Sequence, residues 1–264
     1  VYVAQTDAQN YVNGRAGTLG HELIDLGNRP WLNQIGVVDC GPAQCADPSI
    51  FNLDPLPPAA PSPGDGLATP YGIQVTEDDA TLVVTASASH KVFTVDAMTG
   101  AVLGSVSVGS VPRGVALRQP SGASSLEAWS HNSVENSISV VSLADLEAPA
   151  HVTTVALDDP TPTLVKQGRI AFNSATASST ETFACASCHP SGNTDQLLWI
   201  LGAPPCATEA PTWSLEGCDQ VSPRSTQPIR GLRDTEPYHW DGIPGDPFGG
   251  PNGEYPMGPD QDAN

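Results

Sequence analysis

The chain has 264 residues with 29 acidic and 10 basic side chains, for a formal net charge of −19. That balance excludes nucleic acid and anionic lipid as partners, since either needs a basic patch to replace condensed counterions, and it suits a basic partner or simply solubility. No apolar run is long enough to span a membrane and no signal peptide is visible; because the chain opens on Val1 rather than methionine, its start is expected to be a processed or truncated end.

Val1-Tyr2-Val3-Ala4 reads as the end of an inner strand, and Ile24-Asp25-Leu26 and Ile35-Gly36-Val37-Val38 continue that blade with Asn13-Gly14 as a turn. Outside one CxxC motif, the cysteines fall into two short-range pairs, Cys40 with Cys45 and Cys206 with Cys218, that can close as disulfides. This usage predicts an exported protein, periplasmic or extracellular; the alternative is four free buried thiols. The proline-rich run 54–64 is predicted as extended, solvated loop, because proline lacks an N–H and restricts the residue before it.

From Thr69 the chain alternates short strands with Gly and Asp turns. Pro70–Val75, the alternating strand Thr81–Ala86, Val92–Asp96 and Ala101–Val108 form one up-and-down sheet. Val111-Pro112-Arg113-Gly114-Val115-Ala116-Leu117 then repeats Thr69-Pro70-Tyr71-Gly72-Ile73-Gln74-Val75 at an offset of 42, and Ile138-Ser139-Val140-Val141 echoes Val92-Phe93-Thr94-Val95. Four-stranded units at a period near 40 residues predict a β-propeller, and the blades resemble the YVTN-type repeat, with its Pro-x-Gly opening and the closing turn Val108-Gly109. One blade spans about 69–110, a second about 111–158, and a degenerate one precedes them. A ring needs at least four blades, so an incomplete propeller is expected, completed by a longer parent chain or another subunit. A small β-sandwich of the same strands is the alternative.

A boundary falls near Asp158-Asp159-Pro160-Thr161-Pro162, dividing a β region at 1–158 from a small, mostly α and loop domain at 159–264. Leu164, Gly168, Ala171 and Phe172 share one face at helical spacing, which predicts a helix from Thr163 to Phe172. Cys185-Ala186-Ser187-Cys188-His189 follows. Two thiols separated by two residues with histidine directly after is the attachment pattern of a c-type haem: each thiol joins one vinyl group and the imidazole ligates the iron. Zinc would need further ligands, and the other cysteines form no second CxxC. A thioredoxin-like site would sit between a strand and a helix, whereas Ser174–Thr182 is polar and loop-like.

Gln167-Gly168-Arg169, the CxxCH motif with Pro190, Asn193-Thr194-Asp195, Arg230-Gly231-Leu232-Arg233 and Tyr238-His239-Trp240-Asp241-Gly242 together resemble the bacterial di-haem cytochrome c peroxidase and MauG-like superfamily over roughly 163–245. Members that carry a YVTN-type propeller before the cytochrome are the most similar. The resemblance implies a cytochrome c domain with Cys185 and Cys188 as thioether attachments, His189 as proximal ligand, Phe172 shielding the haem edge while Gly168 admits a second helix, and Trp240 on the electron path. The chain departs from the family in having one CxxCH, in carrying Ile243 where arginine follows Trp-Asp-Gly, and in ending at Asn264 without the closing helix.

For the sixth ligand two residues compete: Met257 in Tyr255-Pro256-Met257-Gly258-Pro259, which would raise the potential, and His239, which would lower it. The acidic tail with Asp246, Glu254 and Asp260 offers oxygen ligands for Ca²⁺, although it has no EF-hand pattern. His21, His90, His131 and His151 read as surface or loop residues. The expected function is an extracytoplasmic electron-transfer cytochrome with one haem and a redox protein or other cytochrome subunit as partner, with no residue assigned to catalysis. The alternatives are part of a peroxidase or MauG-like oxidase whose second haem lies elsewhere, and a propeller scaffold with a structural haem.

Overall fold

Thr81-Leu82-Val83-Val84-Thr85-Ala86, dense in β-branched residues, forms a strand in which every side chain is buried, rather than the half-exposed strand its alternation suggests. The reason lies in the computed structural model, which describes residues 1–10, 29–41, 44–122, 125–199 and 224–232: the strand is covered on both faces by neighbouring sheets. Strands β1 (Tyr2–Ala8), β2 (Trp31–Val37) and β3 (Ser49–Asn52) form a three-stranded antiparallel sheet. A four-stranded meander follows in chain order, β4 (Pro70–Val75), β5 (Thr81–Ala86), β6 (Lys91–Asp96) and β7 (Val102–Ser107). A second comprises β8 (Pro112–Arg118), β9 (Glu127–Asn132), β10 (Ser137–Ser142) and β11 (Ala150–Ala156).

The two-residue period of a strand sends alternate side chains to opposite faces. Leu82, Val84, Phe93 and Val95 accordingly pack with Ile35 and the partly buried Tyr2 and Phe51 of the first sheet. Val83 and Val92 point the other way, into Ala128, Val141 and Leu143. Because β4 lies against both β1 and β8, the first strands of the three sheets are neighbours. Meanders stacked face to face with adjacent first strands are propeller-like blades, whereas a sandwich would join strands by Greek-key crossings.

The 42-residue repeat has a backbone basis. Pro70 and Pro112 each open an inner strand, and the β-branched residue before each is left-handed, Thr69 at φ 55° and Val111 at φ 60°. The Thr69 carbonyl accepts from the Ser87 amide at 2.8 Å and the Val111 carbonyl from the Ser133 amide at 2.9 Å. Their own amides find different side chains: Thr69 donates to Asn33 Oδ1 at 2.9 Å, and Val111 to His90 Nδ1 at 3.0 Å. His90 lies in a turn, within the surface or loop reading, but is half-buried and acts as an acceptor; burial pushes its imidazole below the usual value, opposed only in part by a hydrogen bond to the Ser87 backbone and the charge of Glu135. His131 and His151 are exposed, and His21 lies outside the described residues.

Gly72, in the Pro-x-Gly opening, marks where two inner strands meet. A Cβ there would stand 2.3 Å from the Arg113 carbonyl oxygen, whereas at Gly114 the nearest neighbour is the His131 Cβ at 3.8 Å. The proline-rich run forms no helix or strand, as expected, yet its first residue is not solvated. Asp54 is buried 3.7 Å from the guanidinium of the equally buried Arg29. Cys40 and Cys45 form a disulfide, while Cys206, Cys218 and Ile24-Asp25-Leu26 lie outside the described residues.

Beyond β11 come α1 (Thr163–Asn173), the single turn α2 (Cys185–Cys188), two 3-10 turns, and the short pair β12 (Leu198–Trp199) and β13 (Arg224–Ser225). No helix among the described residues is long and apolar enough to cross a membrane.

Two outcomes follow from the blade contacts. Gly72→Ala lowers the unfolding free energy by about 1–3 kcal/mol, the range for overpacking against fixed backbone, while Gly114→Ala changes it by less than about 0.5 kcal/mol; urea unfolding of both variants measures the difference. His90 takes up a proton more readily unfolded than folded, so its stabilising contribution is complete above the ordinary imidazole range and declines as pH falls through it. The loss of stability from pH 7.5 to 5.5 is therefore smaller in His90→Gln than in the parent chain, as denaturant midpoints at the two pH values will show.

Candidate functional site

The segment between α1 and the CxxCH turn is held to one end of the blades by small residues and backbone bonds. Ala175 and Ala184 pack with Ala68 and Ala88, and the Ala175 amide donates to the Ala88 carbonyl at 2.9 Å. Thr182 is fully buried, and its carbonyl accepts from Asn33 Nδ2 at 3.0 Å. The same Nδ2 donates to Asp54 Oδ2 at 2.9 Å, and Asn33 Oδ1 receives the Thr69 amide. One amide side chain thus ties the first blade, the second blade, the proline-rich loop and the segment leading to Cys185. The side chain of Glu181 accepts from the Gly64 amide at 2.7 Å, and a Cβ on Gly66 would come within 2.4 Å of the Glu181 carbonyl oxygen.

The motif then folds as one helical turn. The Ser187 amide donates to the Ala184 carbonyl at 2.9 Å and the His189 amide to the Cys185 carbonyl at 3.0 Å, which puts the two cysteines three apart on a common face. Both thiols are free, Cys185 exposed and Cys188 half-buried. The indole N–H of Trp31, at the start of β2, points to Cys188 Sγ at 3.4 Å, and its ring lies 5.5 Å from that of Trp199, whose N–H donates to Asp195 at 2.9 Å. Burial pushes the Cys188 thiol up to about 11, reinforced by the charges of Asp195 and Cys185 and opposed by the Trp31 N–H. Cys188 is thus a protonated thiol at neutral pH, unlike the low-pKa thiolates of dithiol oxidoreductases.

His189 stands against Phe172 of α1, ring centroids 6.3 Å apart, and its Nδ1 is buried with no hydrogen-bond partner among the described residues. No three His, Cys, Asp or Glu converge on one point among the described residues, so Cys185, Cys188 and His189 do not form a zinc-like cluster. Two free thiols and an imidazole in this order are the donor set that covalent haem attachment would use.

Helix α1 is tethered at its start by the Asp159–Lys166 ion pair at 2.5 Å, and this bond with that of Thr161 holds the Asp159 carboxyl down to about 2. Lys166 also donates to the Glu135 carbonyl at 3.2 Å, joining α1 to the last blade. Yet α1 buries no residue: Leu164 and Val165 are exposed, and a Cβ on Gly168 would meet nothing within 4 Å. Contrary to the close helix approach expected at Gly168, that position borders a cavity of about 540 Å³ between α1, the blade residues Arg113 and Val134, and the turn at Ser191-Gly192. Phe172 lines this cavity, and Arg230 donates to the carbonyl of Ser191, one of the lining residues, at 2.9 Å.

Of the residues expected at the site, Cys185, Cys188, His189 and Phe172 are brought together. Trp240, His239, Met257, Asp246, Glu254 and Asp260 lie outside the described residues. Trp31, Asn33 and Arg113 were not foreseen: each comes from a distant strand, and no local pattern marks it.

No protein-family model matches the chain, and no curated protein matches it. Among solved structures, hydrazine synthase from Kuenenia stuttgartiensis is 29% identical over 34% of this chain and 24% of its own, with a TM-score of 0.29. The Swd1 β-propeller domain of Myceliophteria thermophila is 14% identical over 49% of this chain and 42% of its own, with a TM-score of 0.35. BamB from Moraxella catarrhalis is 12% identical over 61% and 40%, with a TM-score of 0.33. The chain spans 24% to 42% of the length of these structures.

Replacing Asn33 tests the anchoring. Asn33→Ala strips partners from Asp54, Thr69 and Thr182 and lowers the unfolding free energy by about 3 kcal/mol, given about 1–3 kcal/mol for each buried group left unpaired. Asn33→Asp is at least as damaging, because it sets a carboxylate against Asp54. Denaturant unfolding with hydrogen exchange at the Thr69 amide measures both effects.

Proposed function

We propose that this chain is an extracytoplasmic c-type cytochrome that carries one haem, attached through Cys185 and Cys188, and transfers electrons. The observation that carries the reading is the turn itself. Two free thiols lie three apart on one helical turn, followed directly by an imidazole whose buried Nδ1 has no partner among the described residues. When bound, haem supplies a one-electron iron couple.

The chain's own residues account for the rest. Cys185 and Cys188 would hold the haem, each through one thioether to a vinyl group, an addition of S–H across the double bond that needs no oxidant. Burial keeps Cys188 a thiol, and the Trp31 N–H positions its sulfur. His189 is the iron ligand, its ring orientation limited by Phe172. The tryptophan pair Trp31 and Trp199 and the anchored alanines keep water from the inner side of the turn. The Cys40–Cys45 disulfide supports an oxidising compartment, periplasmic or extracellular, where covalent haem is attached. A redox protein or another cytochrome subunit is the partner, and a larger assembly or longer chain would complete the blades.

Secretion alongside a c-type haem maturation system tests the reading. Intact mass rises by one haem per chain, and alkaline pyridine gives the spectrum of a haem with both vinyl groups saturated. Cys185→Ser and Cys188→Ser each leave one vinyl group, shifting that spectrum, and the double variant loses covalent haem. A parent chain that matures without gaining mass would refute the assignment.

A further inference from the structure

Helix α1 turns one face, Val165, Gly168, Arg169, Phe172 and Asn173 at helical spacing, toward the cavity of about 540 Å³ described above. That volume falls within the roughly 300–1,000 Å³ of small-molecule sites. In a chain with 29 acidic against 10 basic residues, the lining carries two arginines, Arg169 and the blade residue Arg113, and no acidic residue among those described. Neither is ion-paired among the described residues, whereas Arg29, Arg118 and Lys166 each meet a carboxylate. Arg113 lies over the Tyr71 ring at 5.4 Å with its Nε buried and unpartnered, and Arg230, bonded to the carbonyl of the lining residue Ser191, adds a third cation nearby. Planar guanidinium forks without a counter-ion, in a molecule dominated by carboxylates, make a place for an anion, and a carboxylate fits them in bidentate fashion.

Two neutral polar groups of the lining call for the opposite partner. The Ser133 hydroxyl gives its hydrogen to the Val111 carbonyl at 2.9 Å, so toward a ligand its oxygen can only accept. Asn173 Nδ2 donates to the Arg169 carbonyl at 2.8 Å, a bond that fixes the amide and leaves Oδ1 to accept. Hydroxyl groups on a ligand are the donors that these oxygens need. Val165, Phe172 and Ile229 add apolar surface, which suits the C–H face of a sugar ring. A plain aromatic acid would satisfy the arginines but leave both acceptors desolvated and unpaired, and a neutral sugar would leave the arginines without an anion.

We propose that this cavity binds a hydroxylated carboxylate of the sugar-acid class, with the carboxylate on Arg113 and Arg169 and hydroxyls on Ser133 and Asn173. Neither Cys185 nor Cys188 lines the cavity, and the proposal does not depend on a bound haem. The same chemistry has two sources, a free sugar acid and a uronate unit of an acidic polysaccharide, which the experiment distinguishes.

Isothermal titration calorimetry on the full-length chain uses D-galacturonate as probe, with D-galactose as its neutral counterpart and benzoate as an acid without hydroxyls. Galacturonate binds saturably at one site per chain, and each of the other two binds at least about tenfold more weakly, the loss expected where a charged or buried polar group stays unpaired. Arg169→Gln, on a helix that buries nothing, weakens galacturonate by about tenfold or more with the fold intact, and Arg113→Gln does the same. Asn173→Leu weakens galacturonate but not benzoate, a split that general damage to the cavity would not produce. Arg118→Gln, beside Glu127 and outside the lining, leaves the affinity unchanged and controls for net charge. A galacturonate trimer that binds more tightly than the monomer assigns the site to an acidic polysaccharide, and equal affinity assigns it to the free acid.

No saturable binding of galacturonate, or an affinity unchanged in Arg169→Gln, overturns the proposal. Benzoate bound as tightly as galacturonate also overturns it, and assigns the cavity to simple carboxylates. Haem attachment is read separately by intact mass, and none of these outcomes bears on it.

Discussion

The side chain of Asn33 is the constraint on which the arrangement turns. Its amide is buried and bonded on both ends, to Asp54, to the Thr182 carbonyl and to the Thr69 amide. Each of these groups belongs to a different part of the chain, and each would lose a hydrogen bond without it. Leucine or alanine at this place would leave a buried carboxylate with the Arg29 contact and the Leu67 amide alone, and Thr69 with an unmet donor in a left-handed conformation. The network therefore does more than stabilise: it specifies how the CxxCH segment meets the blades, since few other docking positions would satisfy all of these groups together.

The repeat shows the same requirement met twice by different chemistry. Thr69 and Val111 have the same left-handed backbone and each accepts from a serine amide, Ser87 and Ser133, but one amide is received by an asparagine oxygen and the other by an imidazole nitrogen. What recurs along the chain is a geometric demand, a left-handed residue with an inward amide just before the inner strand. The residue that answers it is free to vary. That freedom makes His90 sensitive to protonation in a role that Asn33 fills without titrating.

Much of the blade structure was legible because it is local. The 42-residue offset, the Pro-x-Gly openings and the Gly and Asp turns mark β4 and β8 and the meanders that follow, and the helix predicted from Thr163 spans Thr163–Asn173. The CxxCH turn was equally plain, since its chemistry lies in five consecutive residues. Alternation misled at Thr81–Ala86, because a strand between two blades buries both faces whatever its pattern. The supporting residues were beyond reach for a different reason: Trp31 meets Cys188 across 157 residues and Asn33 meets Thr182 across 149. Single tryptophans and asparagines have no spacing to betray them. The glycine at 168 was read correctly as a place without a side chain, but the space it leaves opens on a cavity rather than on another helix.

These features divide the candidate site into a fixed half and an open half. On one side, the alanine contacts, Asn33 and Trp31 hold the turn that carries the sulfurs, so their positions follow from the blades. On the other, α1 is tethered through Asp159, Lys166 and the Glu135 carbonyl near its start, while its apolar face buries nothing. A large planar group needs both: attachment points placed to within a fraction of an ångström and a wall that leaves it room. The buried nitrogens of His189 and Arg113 both lack a hydrogen-bond partner among the described residues, and Phe172 adjoins both places, packing against the His189 ring and lining the cavity that Arg113 also lines. The blade is then not merely a support for the CxxCH turn, because the same inner strand that Gly72 allows to pack closely delivers Arg113 to the cavity.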